Sequence, residues 1–468
     1  MGVEGLWKLI EEARDYRGSL QMLAFEDGFR DTQIRPAIIG IDASIWIYQA
    51  SKSLAVEHPQ AGLNPALRSF FYRLLELLEA PFIPLLVFDG PERPEKKRGL
   101  NVSPVPHYMV HHCIKLINAC KFYYHQAPGE AEAELAMLNK IGVIDAVMTE
   151  DSDVFVFGAR TVLRRTSASN ATIASIDRYS AGRIPQLQTP DFVLIALMSG
   201  CDYDETGVPG CGTRTAQGLT RYGLGRSLCR AALDLSGIEL ETFTINWRIQ
   251  VINYLANDPS DFIGRHNPAL AHSLPTTFPN MKIVMDLLRP KTSPTIPFFR
   301  DSFSLRLPDL PLITQFCEQL FQWDDMVRLL GTYKNRLWPG LVTRILALEA
   351  IRVTSSANAK DERSSVCEQP MFTVRLCNVS KDSFDDDAEP SCKVSIVPKM
   401  INDIAVTRAV SSIAYTERNV PIIPPGLPAK NDPTKPRQYT LPLLLFRRAR
   451  AAAIAQLLPD HIGSATII

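Results

Sequence analysis

Seven carboxylates in the first half of the chain carry the strongest chemical signal: Asp42, Asp89, Glu130, Glu132, Asp151, Asp153 and Asp202. Asp42 closes the apolar run "AIIGID", Asp89 closes "FIPLLVFD", and Asp151 and Asp153 follow "VIDAVMTE". A carboxylate at the end of a buried strand is costly unless something neutralises it. Several on one rim repel each other and attract hard divalent cations. Mg²⁺ suits such a site because it takes oxygen ligands and keeps several waters. Two such ions about 4 Å apart activate a water, clamp a scissile phosphate and stabilise the leaving oxygen. No histidine or cysteine is placed to compete.

Spacing constrains each acid. Asp151 and Asp153 point to one side if their segment stays extended. Glu130 and Glu132 face a common site only where a helix is just starting. Pro128-Gly129 marks such a start, where the helix dipole also favours acids. Asp202 sits at a turn after the apolar helix "DFVLIALMSG". Each acid taken alone is more simply a helix cap or a solvated loop end, and in "EAEAE" Glu130 and Glu134 would share one exposed helix face. Recurrence of strand-end acids in separate segments is what favours a site.

The elements that must hold these residues alternate. Short apolar runs ending at Asp42, at Asp89 and before Asp151 are separated by stretches with helical spacing, such as "ALRSFFYRLLELLEA", "MVHHCIKLINAC" and "GEAEAELAMLNKIG". That pattern predicts an α/β fold with a mostly parallel central sheet and helices on both faces. Ligands in such sheets bind at the carboxyl ends of the strands, where the acids fall. From about residue 190 to 349 the pattern is helical, with proline-rich breaks near 275–311. A polar linker is expected over 351–370, and a small α+β module over 371–458 that contains "KVSIV" and ends in a helix, "PLLLFRRARAAAIAQLL".

Bulk properties narrow the class. With 468 residues, 46% hydrophobic and 21% charged, the chain reads as globular with two or three domains. Its 50 basic and 50 acidic residues cancel, which argues against a uniformly basic coat but leaves room for a local phosphate track. Nine cysteines without a C-x-x-C pair give no disulfide or zinc framework, so buried free thiols in an intracellular protein are expected. No apolar run reaches the roughly 18 residues of a membrane span. "MGVEGLWKLI" lacks the order of a signal peptide, and Leu6 stands where a myristoylation motif wants Ser or Thr.

Six segments resemble the ordered blocks of the flap endonuclease/XPG superfamily of structure-selective nucleases: "MGVEGLWKLI", "IGIDASIWIYQ", "LLVFDGPERPEKKRG", "APGEAEAELA", "VMTEDSDVFVFG" and "LMSGCDYDETGVPGCGTRTA". They span roughly residues 1–225. The resemblance implies a PIN-like nuclease core divided into an N-terminal region, 1–98, and an internal region, 105–205, followed by a helix-hairpin-helix and helical extension over 206–350. It implies that the seven acids are ligands, direct or through water, of two Mg²⁺ ions that Mn²⁺ can replace. It places Gly2 by the DNA and Lys96 at the scissile phosphate, with Lys97 beside it. It also implies that Gly207, Gly210, Gly212 and Arg214 grip duplex backbone, with one K⁺ at that hairpin.

Only "PERPEKKRGLNVSPVPHYM" lies between the second acid and the next helix, with little room for the helical arch of flap endonucleases. A short segment suits a substrate with no free end to thread. The chain thus resembles the Holliday-junction resolvase branch, and "FCEQLFQWDDMVRLL" with "NRLWPGLVTRILALEA" looks like the segment that closes its core. The branch implies branched duplex DNA as partner, a monomer that dimerises on a junction, nuclear localisation, and a chromodomain-like module over 371–458. Arg221, Arg226 and Arg230 would extend the duplex track, and Arg447, Arg448 and Arg450 serve DNA or nuclear import. The alternatives are a 5′-flap endonuclease or exonuclease, a catalytically inactive DNA-structure-binding protein, and a small-molecule or RNA hydrolase.

Overall fold

The computed structural model describes residues 2–31, 33–53, 63–166, 175–184, 186–296, 299–323, 329 and 331–358, with strands between 373 and 442 and residue 445. Its centre is a seven-stranded sheet of order β1-β9-β8-β7-β2-β3-β6. The strands are β1 (Arg14–Gly18), β2 (Ile38–Asp42), β3 (Ile83–Phe88), β6 (Tyr123–Gln126), β7 (Ala146–Met148), β8 (Thr161–Thr166) and β9 (Ser175–Ser180). The four pairings from β6 to β8 are parallel. Those of β9 with β8 and with β1 are antiparallel. The sheet is therefore mostly parallel, as its apolar runs predict.

Every residue of β2 and β3 is buried, the mark of strands covered on both faces. Helices α3 (Ala43–Ser53) and α4 (Pro65–Leu78) connect β2 to β3, α5 (Val110–Ala119) connects β3 to β6, and α6 (Ala131–Lys140) carries the chain back to β7. These crossovers run in opposite directions along the sheet, so right-handed connections place α6 on the face opposite the others. A Cβ on Gly40 of β2 would meet the Leu135 side chain of α6, which shows how closely helix and strand approach. On α4, Phe70, Phe71, Leu74 and Leu78 are buried to 1% exposure or less, and each stabilises the fold by about 1.5–3 kcal/mol.

Shorter helices α1 (Leu6–Leu9), α2 (Leu20–Phe29) and α7 (Asp153–Val156) flank the sheet. Beyond it the chain is helical: α8 (Thr189–Ser199), α9 (Thr213–Thr220), α10 (Leu224–Asp234), α11 (Gly237–Asn257), α12 (Pro268–Ser273), α13 (Met281–Leu288), α14 (Leu310–Phe321) and α15 (Trp338–Asn358). The last packs back on the core: a Cβ on Gly340 would press on Leu78, and buried Arg344 donates from Nη2 to the Phe82 carbonyl at 3.0 Å. Among the described residues no helix is long and apolar enough to cross a membrane.

Between β3 and α5 the expected short segment forms a two-stranded ribbon, β4 (Lys96–Lys97) and β5 (Leu100–Asn101). In the C-terminal region β10 (Thr373–Ser380), β11 (Ser391–Val397) and β12 (Arg437–Pro442) form an antiparallel three-stranded sheet. The linker expected over 351–370 does not begin at 351, because α15 stays helical to Asn358; the rest of it, most of the expected final helix, and Arg447, Arg448 and Arg450 lie outside the described residues. The described cysteines from Cys113 to Cys317 are buried and free.

Candidate active site

All seven acids gather at the carboxyl ends of β7, β2 and β3. Local structure positions each one. Asp42 ends β2, and its Oδ1 accepts from the Ile45 amide at 3.0 Å, capping α3. Asp89 follows β3, and its Oδ1 accepts from the Ala131 amide at 2.9 Å, tying it to the start of α6. Glu130 has extended dihedrals as the residue preceding α6 and Glu132 lies in the first turn, so the helix-start reading of this pair holds. Asp202 lies at the turn after α8, past Gly200 at φ 93.

Asp151 and Asp153 come together by a different route from the extended segment expected. Ser152 is helical and Asp153 opens α7. The Asp151 carboxylate accepts from the Asp153 amide at 3.0 Å, so a side-chain turn bends the backbone and brings the two acids to one side. Gly2 packs directly on this turn at φ +80. A Cβ there would fall 2.6 Å from Asp153 Oδ1 and 2.5 Å from Ser152 Oγ, so both conformation and space require glycine. The next amide, of Val3, donates to Asp153 Oδ1 at 2.8 Å.

Glu132, Asp151 and Asp202 each offer a carboxylate oxygen within 4.8 Å of the others, and all three are buried. Burial, reinforced by Asp89, pushes Asp42 up to about 8. Burial and the neighbouring Asp151 and Asp202 likewise push Asp153 up to about 8. Burial raises Glu132 too, against the pull of Lys97. Asp202 is the exception. Burial opposes its ionisation, but Lys97 and Arg98 outweigh it and hold the carboxyl below its ordinary range.

The cation in the cluster is Lys97. Its Nζ lies 2.8 Å from Glu130 Oε1, 2.5 Å from Glu132 Oε1 and 3.0 Å from Asp202 Oδ2. Lys96, expected at the reacting phosphate, is exposed and lines the open cleft beside Glu130. Successive residues of the ribbon point to opposite sides, so only one of the two lysines can face the acids.

Three contacts had no signal in the sequence. Arg98, at φ 52 in the ribbon turn, donates from Nε to Asp202 Oδ1 at 2.7 Å. Arg93 reaches Asp89 Oδ2 at 3.3 Å and the Ser103 carbonyl at 2.6 Å, joining the ribbon to the rim. The Tyr203 hydroxyl donates to Glu130. Glu134, which would share an exposed helix face with Glu130 on the simpler reading of "EAEAE", is fully buried away from the cluster, so that alternative fails. It accepts from the Ser293 amide at 2.8 Å and pairs with His125 at 2.9 Å.

The hairpin expected to grip duplex backbone is present between α8 and α9. Gly207 has φ +52, and a Cβ on it would lie 2.8 Å from the Met198 carbonyl. Gly210 also has positive φ, Gly212 caps α9 and Arg214 is exposed in its first turn. Arg221, Arg226 and Arg230 are exposed. Only the last two share a helix face, because Arg221 ends α9 and stacks on Phe262.

Comparison with known proteins agrees with this geometry. Residues 1–101 match the XPG N-terminal domain and residues 121–202 match the XPG I-region. Between them these two regions contain all seven acids. Over these residues the chain carries the nuclease regions of the flap endonuclease/XPG superfamily. The flap endonuclease GEN homolog 1 of Mus musculus is 27% identical over 249 residues, covering 49% of this chain and 26% of that protein. Flap endonuclease 1 of Osmerus mordax is 29% identical, covering 47% of this chain and 66% of that protein. A solved structure of the Holliday junction-resolving enzyme GEN1 with product DNA and Mg²⁺ is 27% identical, with a TM-score of 0.68 over 97% of this chain and 98% of that one. The chain spans about a quarter of the length of the first curated relative, so the superfamily's nuclease core, and not the whole of such a relative, is what it shares.

Proposed function

We propose that this chain is a metal-dependent, structure-selective DNA endonuclease that cuts phosphodiester bonds at four-way junctions and related branched DNA during recombination and repair. The observation that carries the reading is the buried triad of Glu132, Asp151 and Asp202 at the mouth of the parallel strands. Its donors suit a hard divalent cation. All are carboxylate oxygens, and the buried Asp153 Oδ2 beside them has no hydrogen-bond partner.

Glu132, Asp151 and Asp202 would hold one cation between them, and Asp42, Asp89, Glu130 and Asp153 would complete the ligands of the pair. Two Mg²⁺ ions, or Mn²⁺ in their place, supply an activated water and charge stabilisation at the scissile phosphate. The protein's own groups do the rest. Lys97 offsets acid repulsion and, moved from its carboxylates, faces the same phosphate. Arg98 fixes Asp202, and Arg93 fixes Asp89 to the ribbon. Gly2 leaves room for the chain to pass beside the acids. The hairpin of Gly207, Gly210 and Gly212, with Arg214, presents backbone N–H groups to duplex phosphates, with one K⁺ part of that contact.

The two-residue strands of the β4–β5 ribbon favour a junction over a threaded flap, since they form no helical arch for a free end to enter. Two copies on one junction would then cut strands related by its symmetry. Cleavage of an intact four-way junction and of a 5′ flap, side by side with Mg²⁺ and with EDTA, tests the reading. Paired symmetric nicks that vanish in EDTA are expected. Strong flap cutting with an untouched junction would move the chain to the flap-cutting branch, and no Mg²⁺-dependent cleavage of either would refute the nuclease.

A further inference from the structure

The β4–β5 ribbon carries an apolar side chain where phosphate chemistry has no use for one. Its two-residue turn is Arg98-Gly99, at φ 52 and φ 66, the left-handed pair that closes a tight hairpin. Lys97 and Leu100 flank that turn and oppose each other in register. Opposed residues share one face of an antiparallel pair, with Cβ atoms about 4.5–5.5 Å apart. Leu100 therefore lies on the face through which Lys97 reaches Glu130, Glu132 and Asp202. Yet Leu100 is 73% exposed, and a Cβ on Gly99 beside it would meet nothing within 4 Å. Val105 and Tyr108, further along the same segment, are 69% and 76% exposed. Apolar surface thus gathers on the stretch that borders the acids, whereas a lone exposed leucine would need no explanation.

The ribbon holds this leucine in place. The Arg98 amide donates to the Asp202 carbonyl at 2.8 Å and its Nε to Asp202 Oδ1 at 2.7 Å, and the Val102 amide donates to the Glu95 carbonyl at 2.9 Å. At the other end Arg93 donates to the Ser103 carbonyl at 2.6 Å. The turn is therefore anchored to the acid rim itself. What Leu100 can touch follows from where a phosphate would sit. A phosphodiester at the acids, facing Lys97, carries a nucleoside to either side, and the base is the part of a nucleotide with a broad face for stacking. In a continuous duplex the next base pair covers that face. At a branch the stack is interrupted, and an apolar side chain can take the vacated place. A protein partner fits less well, because interface cores are depleted of charge and Leu100 stands beside Lys97 and Arg98.

We propose that Leu100 packs on the base of a nucleotide flanking the scissile phosphate and reads the interruption of base stacking at a branch. Lys97 and Leu100 then act as a pair on one face of the ribbon, the cation on the phosphate and the leucine on the base. This rests on the nuclease reading and adds to it a residue that selects branched over continuous DNA.

Cleavage of a four-way junction by the full chain in Mg²⁺ tests this, with two further junctions that carry an abasic site in place of one or the other base flanking the cut. On the intact junction Leu100→Ala should cut several-fold more slowly than wild type, and Leu100→Met should recover most of the rate. On one of the two abasic junctions wild type and Leu100→Ala should cut at equal rates, because the base that the leucine touches is gone. A merely structural role for Leu100 would leave the loss the same on every substrate. The side chain is exposed, so folding is not at issue, and equal melting temperatures of the three proteins check it. Full junction cleavage by Leu100→Ala, or a loss that persists on both abasic junctions, overturns the proposal and leaves the nuclease reading standing. No cleavage by wild type removes the nuclease reading and the proposal with it.

Discussion

Two groups of buried carboxylates sit on the same sheet and are balanced in opposite ways. On the antiparallel flank, Asp177 of β9 takes two bonds from Arg17, at 2.7 and 2.6 Å, and Asp15 takes Arg178 at 2.7 Å and the Ser180 hydroxyl at 2.6 Å. Each acid there has two arginines within 4 Å, Asp177 with Arg14 and Arg17, Asp15 with Arg178 and Arg183. At the ends of the parallel strands, seven carboxylates share Arg93, Lys97 and Arg98. Arginine pairing converts buried acids into structure. Leaving them short of cations stores repulsion that only an added positive charge relieves, which is the physical signature of a binding site. The contrast also explains a cost: the rim destabilises the fold that carries it.

The comparison can be broken at several strengths. The largest effect is expected from Asp42→Asn or Glu132→Gln, which should abolish junction cleavage, a loss of at least about 10²–10³-fold, with junction affinity nearly unchanged. Full cleavage by either variant removes that residue from the site. Next, Lys97→Ala should destabilise the metal-free protein by about 3–5 kcal/mol, the cost of stripping the cation from a buried ionic cluster. Lys96→Ala should stay within about 0.5 kcal/mol in the same denaturant titration.

A third pair of variants sets the two regions directly against each other. Asp177→Asn should lower stability in EDTA by about 1–3 kcal/mol, less than a fully buried pair because Arg17 is half exposed. Asp153→Asn should instead raise the melting temperature in EDTA, since it removes a repelled charge while its side-chain oxygen can still accept from Val3. Metal should act on the rim alone. Mg²⁺ at about 100 times its dissociation constant should stabilise the wild type and Asp177→Asn by about 2.7 kcal/mol each, and Asp153→Asn much less. Equal stabilisation of all three would erase the distinction.

The smallest effect concerns pH. Burial opposes ionisation of Asp15, but Ser180 and Arg178 outweigh it and hold the folded-state value below the ordinary one. Its stabilisation is therefore full above about pH 4 and is lost as pH falls through the lowered value. Asp15→Asn should be less stable than wild type at neutral pH, and the gap should narrow in denaturant titrations as the pH drops below about 4.

The parts of the molecule that were legible in the sequence are those written in local pattern. The apolar runs of β2, β3 and β7, the periodicity of α4, α5 and α6, and the position of each acid after a strand or at a helix start needed no tertiary information. The flanking strands β1, β8 and β9 carry "RDYRG", "TVLRRT" and "SIDRYS", and no strand was expected there. Their arginines satisfy carboxylates up to 163 positions away, and that pairing is invisible along the chain. The burial of Glu134 is equally hidden, since its partner Ser293 lies 159 positions from it. That Lys97, and not Lys96, faces the acids had another cause. A family offset counts residues, whereas side-chain direction in a ribbon is fixed by strand parity. The Asp151–Asp153 turn shows the same limit, because spacing of two allows either a strand or a side-chain-stabilised bend.

The measurement closest to the central claim is direct binding of Mn²⁺, followed by electron paramagnetic resonance, to the wild type, Glu132→Gln, Asp151→Asn and Asp177→Asn without DNA. Wild type and Asp177→Asn should bind the ion alike, and the two rim variants should lose most of that binding. Retention of wild-type binding by both rim variants, or its equal loss in Asp177→Asn, would contradict the assignment of the cation site to the ends of the parallel strands.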